Sequence, residues 1–427
     1  MKKNKKDTEP TVIQKEKPRR VISRIMDKPN PMLRDKNRLK LAKMLSPEEI
    51  KGIKKEKLKR RANLFLPLLL FLVMALVGNY ILVTYRFHGD VRTGSIYSHN
   101  GAEASNYEIF DGGIVRFNRG GVMFLNQRNS EQWVHPSQFN NPAFIASDQS
   151  FAIIDLGGNG VQVFNSGGLV GEFETSFPIE RGTISDQGIV SLILRNDNAP
   201  MIMTFDVVGN ILVEKQVPLA TQGYPTALAL SRDGMVLAVS YLSINGGRIN
   251  SRLVHYNFGD VPHASPDFIV NSENLPNMIV VDIFFTEDDL SIAITDTSFI
   301  IFEGTESPLI RKNIFIGEEI KGVFYTNEYI GYLLRSQERM GHELRLHNMY
   351  GEVVMSRAFT GEYSNVRMIG GDIFMFDGFR MCIISRQGVI RFQGELEVNP
   401  LLVMPAFGIN RFHVISDSDL RIITLAR

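Results

Sequence analysis

Eight histidines and one cysteine are the side chains here with the widest chemistry, and none stands in a pattern that performs it. His88, His99, His135, His255, His263, His342, His347 and His413 fall at no metal-ligand spacing. His342 and His347 are five positions apart in an expected strand, which sends them to opposite faces. Cys382 lies in the apolar run Met381-Cys382-Ile383-Ile384 and reads as a buried thiol. Glu287-Asp288-Asp289 and Asp417-Ser418-Asp419 resemble calcium loops loosely, but both fall at expected hairpin turns, where Asp bonds local backbone. Gly157-Gly158-Asn159-Gly160 lacks the Lys and following helix of a phosphate loop, and no Gly-x-Ser-x-Gly elbow occurs. No catalytic residue, cofactor or metal is therefore predicted.

Binding is a different matter. Arg195-Asn196-Asp197-Asn198, Asn245-Gly246-Gly247-Arg248 and Arg335-Ser336-Gln337-Glu338-Arg339 are long polar loops, and the connections 217–224 and 257–277 are long as well. Extended loops on a rigid scaffold are where ligands are held. Arg195, Asp197, Arg248, Arg335, Glu338 and Arg339 are the candidate binding residues. The same loops also read as plain solvated turns. Asp197 and Glu338 are the only loop carboxylates that could form an acid–base pair on a glycan.

The elements that carry these loops are short strands. From Tyr107 onward, apolar or alternating runs of a few residues are separated by turns, with no long amphipathic helix. First hairpin turns fall at Gly112, Ser150, Gly188, Gly234, Asp289, Glu328, Gly371 and Ile409. A second series recurs at Asn165 to Gly168, Val208-Gly209-Asn210, Glu303-Gly304, Tyr350-Gly351 and Gln387-Gly388. A period of roughly 40 residues with four strands per unit marks an all-β, β-propeller fold. The register predicts eight blades, with seven as the alternative. The last unit stops one strand short, so a strand near Gly94 to Tyr97 is expected to complete it and close the ring. Trp133 is the only Trp, and the Trp-Asp and Gly-His marks of WD40 repeats are absent.

Ahead of the ring, residues 62–85 carry no charged side chain, and Arg60, Arg61 and Arg86 flank them. A helix of that length rises roughly 36 Å, enough for a bilayer core of about 30 Å. Residues 1–61 hold 22 Lys+Arg against 8 Asp+Glu, whereas residues 86–427 hold 25 against 38. The positive side stays inside. The expectation is an uncleaved signal anchor, a single-pass protein of the cell membrane with a cytoplasmic tail and an extracytoplasmic domain at 107–427. The tail reads as largely disordered, with a short helix near 47–61 opened by the capping box of Ser46, Pro47 and Glu49. Its lysines and arginines suit anionic lipid headgroups. It holds no aromatic side chain to stack on a base, which argues against nucleic acid.

A basic tail, one anchor and an exported ring of turn phrases such as Val163-Phe164-Asn165-Ser166-Gly167-Gly168 resemble an uncharacterised family, a domain of unknown function, of single-pass β-propeller proteins from Gram-positive bacteria. The resemblance covers residues 62–427 and carries no functional residue with it. The reading of the sequence is a membrane-tethered scaffold that binds an envelope protein or polysaccharide. The alternatives are an exported enzyme acting on envelope glycans and a receptor coupled to the tail.

Overall fold

The computed structural model describes residues 66–82, 86–98, 105–260, 267–287, 290–336 and 341–426. The chain divides into two units, 1–82 and 83–427. In the first, residues 66–82 form one helix, α1, inside the apolar run, with Pro67 in its first turn where a missing N–H costs least. Its described length rises roughly 26 Å. Among the described residues no helix is long and apolar enough to cross a membrane. Both ends of the 62–85 run, and the helix expected near 47–61, lie outside them.

The second unit is a ring of eight four-stranded antiparallel sheets, one per blade. A strand β1 (Asp90–Ser98) precedes the first full blade. Blade 1 holds β2 (Asn106–Phe110), β3 (Gly113–Asn118), β4 (Gly121–Leu125) and β5 (Glu131–Pro136). Blade 2 holds β6 (Pro142–Ala146), β7 (Phe151–Asp155), β8 (Gly160–Asn165) and β9 (Gly168–Glu174). Blade 3 holds β10 (Ile179–Ile184), β11 (Val190–Leu194), β12 (Met201–Phe205) and β13 (Ile211–Gln216). A short helix, α2 (Leu219–Gln222), links it to blade 4: β14 (Tyr224–Leu230), β15 (Val236–Asn245), β16 (Arg248–Asn257) and β17 (Ile269–Pro276). Blade 5 holds β18 (Val280–Phe285), β19 (Ser291–Thr295), β20 (Ser298–Glu303) and β21 (Leu309–Phe315). Blade 6 holds β22 (Glu319–Tyr325), β23 (Tyr329–Ser336), β24 (Gly341–Asn348) and β25 (Val353–Phe359). Blade 7 holds β26 (Asn365–Ile369), β27 (Asp372–Asp377), β28 (Arg380–Ser385) and β29 (Ile390–Glu395). Blade 8 has β30 (Leu402–Pro405), β31 (Arg411–Ile415) and β32 (Asp419–Ala426), and β1 is its outermost strand. Eight blades therefore hold, and seven do not.

Burial explains the composition of the strands. Every residue of β7, β11 and β19 is buried, because the middle of a blade is covered on both faces by its neighbours. Those strands are mostly apolar, with only Asp155, Ser191, Ser291 and Thr295 polar among them. The outermost strands β5 and β13 alternate between exposed and half-buried positions instead. Each seam between blades has its own apolar cluster. Ile193 and Ile202 of blade 3 meet Leu228, Leu237 and Val254 of blade 4, and Phe374 and Ile383 of blade 7 meet Val414 and Ile423 of blade 8. Trp133 covers the seam of blades 1 and 2, stacking on Phe164 at 5.3 Å and Phe124 at 5.8 Å while its Nε1 donates to the Ser166 carbonyl at 3.1 Å. Turns lock onto the blade before them: a Cβ on Gly209 would stand 2.6 Å from Phe173 Cβ, at a φ of +90°.

The ring closes where β1 pairs antiparallel with β32, from Asp90 opposite Ala426 to Ser98 opposite Asp419, with an irregularity between Thr93 and Ile96. Arg421 ties this corner to blade 7 by reaching Asp419 at 2.8 Å and Glu397 at 2.9 Å. Ile423, opposite Thr93 and buried in the last seam, should lose about 2–4 kcal/mol of unfolding free energy as Ile423→Ala in denaturant titrations. Ile96→Ala on the exposed side of β1 should stay within about 0.5 kcal/mol.

Candidate binding face

Antiparallel order sorts the connections of every blade. Turns between first and second strands, and between third and fourth, lie on one face. Loops between second and third strands, with the links between blades, lie on the other. The first strands line the central channel.

The turn face is bridged across the axis. Five first-hairpin turns in succession bring Asp148, Asp186, Arg232, Glu287 and Asn327 together, one each from blades 2 to 6. Arg232 holds Asp148 at 2.9 Å and Asp186 at 2.8 Å. The Asn327 amide donates to both Asp148 oxygens, at 3.2 and 3.1 Å, and to Glu287 at 3.1 Å. Blades 2 and 6 are opposite in an eightfold ring, so the Asn327–Asp148 bond spans the channel. Burial alone would raise the Asp186 carboxyl; the Ser147 hydroxyl and Arg232 outweigh it and hold the group below its usual range. That is the reverse of what a general acid needs. Across the ring, Arg367 of blade 7 pairs bidentately with Glu108 of blade 1, spanning the first strand of blade 8.

The loop face differs around the ring. In blades 3 to 6 the channel strands carry a β-bulge near their loop-face end, between Ile179 and Arg181, Pro225 and Ala227, Val280 and Asp282, and Ile320 and Gly322. The channel strands of blades 1, 2, 7 and 8 pair without one. A bulge re-aims the side chain at its apex. Polar pairs follow along this arc: Tyr224 donates to Glu180 of blade 3, and Lys321 meets Glu319 at 2.6 Å; Tyr325, at the turn-face end of its strand, donates to Asp282 of blade 5 at 2.8 Å. Burial and the Glu180 carboxylate push the Tyr224 phenol up to about 12, so it stays a donor at neutral pH.

The arc also contains the three polar loops singled out from the sequence and the 217–224 link; the 257–277 stretch does not belong to it, because it joins the third and fourth strands of blade 4 on the turn face and includes β17 itself. Arg195 and Asp197 are exposed on blade 3 and Arg248 on blade 4. Arg335 lies on blade 6, 3.8 Å from Glu319. They share a face and an arc, not a single cluster. Glu338 and Arg339 fall outside the described residues, as do Asp288 and Asp289. Asp419, from the other calcium-like phrase, is taken up by Arg421 and a local turn with Ser416. Among the described residues no group of His, Cys, Asp and Glu is placed to hold a metal. His347 is buried and His342 stacks on Phe359. Cavities at the seams of blades 3 and 4 and of blades 7 and 8 measure about 170 and 130 Å³, small for a metabolite site.

Of the bridging residues only Glu287 was singled out from the sequence, and as part of a calcium-like turn; Asp148, Asp186, Arg232 and Asn327 were not. Their one signal is register, since each sits within a few positions of a first-hairpin turn. Arg232→Ala leaves Asp148, Asp186 and Glu287 facing one another without a cation. It should cost about 1–3 kcal/mol at neutral pH. The pH dependence should invert. In the native protein the depressed Asp186 contributes stability above its ordinary pKa near 3.8 and loses it as pH falls through the lower folded value. In the variant, crowded carboxylates titrate higher, so lowering the pH toward 4 should narrow the gap to wild type in melting temperature.

None of the curated proteins matches this chain. Among solved structures, AztD from Citrobacter koseri aligns with a TM-score of 0.52 at 11% identity, over 74% of this chain and 95% of its own. BamB from Moraxella catarrhalis aligns with a TM-score of 0.46 at 12% identity, over 78% of this chain and 100% of its own. The WD40 domain of Neurospora crassa Pan2 gives 0.40 at 9%, over 67% and 89%. At such identities a likeness speaks to fold alone. The match that identifies the chain runs over residues 85–425, nearly the whole ring, and by it the protein belongs to DUF5711, a family of unknown function.

Proposed function

We propose that this protein is a membrane-tethered, extracytoplasmic scaffold of a Gram-positive cell, whose ring binds an envelope protein or polysaccharide through the loop face of blades 3 to 6. The observation that carries the binding face is its asymmetry. Four successive channel strands are bulged and polar on that arc, while the opposite face is bridged by the Asp148–Asn327 network. The tether rests on the uncharged run 62–85 between a basic tail and an acidic ring. The tail's cations are then neighbours of anionic lipid headgroups. Binding is favoured over glycan hydrolysis because the carboxylates that converge do so around Arg232, with Asp186 held ionised.

Two measurements on intact cells test this. A membrane-impermeant thiol reagent should label Arg248→Cys before lysis, while buried Cys382 stays silent; labelling only after lysis overturns the topology. A photo-crosslinking residue at position 195 should capture a partner that the same residue at position 235, on the turn face, does not. Equal capture from both faces removes the assignment of the face.

A further inference from the structure

The chain enters the ring on the turn face, and buried polar groups fix the entry. β1 is antiparallel to β32, and its first residue, Asp90, pairs with Ala426, so β1 begins on the turn face and runs toward the loop face. Just ahead of it, His88 is buried where blades 7 and 8 meet. Its backbone N–H donates to the Arg391 carbonyl at 2.8 Å, and its Nε2 stands 3.2 Å from the Asn410 amide. Arg391, itself 4% exposed, binds Asp372 of its own blade and the Asn410 oxygen of blade 8. One guanidinium thus joins both blades to the incoming segment.

Apolar side chains stand exposed around that entry. Phe87, next to His88, is 55% exposed. Phe407 and Ile409, in the first turn of blade 8 with Asn410, are 83% and 53% exposed. Arg86 and Arg411 flank these residues along the chain, and Arg386 is in the outer turn of blade 7. All three arginines are exposed and meet no carboxylate in an ion pair among the described residues. Asp372 is taken up by Arg391, which leaves Asp90 as the exposed acid of this corner. The turns of blades 2 to 6 on the same face are the reverse. Their acids include Asp148, Asp206, Asp233, Glu306, Glu328 and Glu352, and Arg232 is their one Lys or Arg.

We propose that the turn-face corner of blades 7 and 8 rests on an anionic lipid surface, with Phe87, Phe407 and Ile409 in the headgroup layer and the three arginines at lipid phosphates. Exposed apolar side chains rimmed by unpaired cations suit such a surface. The inference rests on the proposed tether. A span that ends at Tyr85 leaves three peptide steps to the buried His88, roughly 11 Å at full stretch. A ring held that closely cannot stand off the bilayer, and the face it presents is the one the chain enters. Anionic lipid repels the acids of blades 2 to 6, which confines the contact to this corner. The loop face of blades 3 to 6 is then directed away from the membrane, open to a partner.

The test uses the full chain reconstituted in vesicles of phosphatidylcholine and phosphatidylglycerol that carry a nitroxide at the headgroup. Phe407→Cys, Val208→Cys and Arg248→Cys, all at exposed positions, each take a bimane label, while buried Cys382 stays unlabelled. Their melting temperatures should match wild type within a few degrees. The nitroxide should quench the label at 407 at least about threefold more than the label at 248 on the loop face, or at 208 on blade 3 across the ring. Adding Arg386→Glu and Arg411→Glu, or leaving out the phosphatidylglycerol, should reduce the quenching at 407. Quenching at 407 no greater than at 248 overturns the inference. So does equal quenching at 407 and 208, which would lay the whole turn face on lipid. Shielding of 407 from a water-soluble quencher without quenching by lipid means that a protein covers the patch, and overturns it as well. If alkaline carbonate strips the chain from the vesicles, the tether fails and the inference with it. If the chain stays and 407 is unquenched, the tether stands and only the lipid contact fails.

Discussion

A four-stranded blade has two apolar faces, and neither can be left to water. That constraint governs the whole ring. Each blade covers half of its neighbour, so the arrangement is satisfied only when the last blade meets the first. The seam of blades 8 and 1, where Leu402, Ile415 and Leu420 meet Tyr107, Ile114 and Leu125, is built like the others. Three strands of blade 8 come from residues 402–426, and β1 supplies the fourth. Closure thus falls on residues that precede the first full blade, next to the polypeptide that continues toward α1.

Closed rings of equal blades are symmetric, and binding one partner requires that the symmetry be broken. Here it is broken twice. On the turn face, one guanidinium and one amide connect three acids across the axis, the five groups coming one each from blades 2 to 6. On the loop face, bulges in four successive channel strands and the α2 link fall on the same side of the ring. Both departures involve blades 3 to 6. Blades 1, 2, 7 and 8 keep regular channel strands, and blade 8 carries the closure.

The repeat was legible in the sequence because local chemistry dictates it. Gly112, Gly188, Gly234 and Gly371 mark hairpins that need left-handed backbone, and all four occur at the first turn of a blade at positive φ. Apolar runs such as Phe151 to Ile154 mark strands covered on both faces. The polar constellations were not legible, since they depend on ring geometry. Asn327 and Asp148 are 179 positions apart and meet only because eight blades place them opposite each other. Arg195, Arg248 and Arg335 look equivalent as loop arginines, yet pairing register puts Arg248 on the same face of β16 as Val254 and Tyr256, the face turned to blade 3, and Arg335 meets Glu319. The apolar run at 62–85 has its helix at 66–82, and a span is a matter of length that the described part leaves short.

The pairing of β1 with β32 also sets an order in time. β1 leaves the ribosome ahead of every other strand of the ring, and its partner is the last of those strands to emerge. Until then β1 has no ladder, and the face of blade 1 destined for blade 8 is bare. Seven blades can assemble behind one another as they emerge, each on the seam just finished, but the ring stays open until β32 emerges. Contacts between residues so far apart in the chain are also the slowest to find. A strand that is first made and last used has to be kept from pairing elsewhere while the rest of the ring is made. The irregularity at Thr93 to Ile96, which breaks the strand's even edge, makes it a poorer template for a wrong partner during that wait.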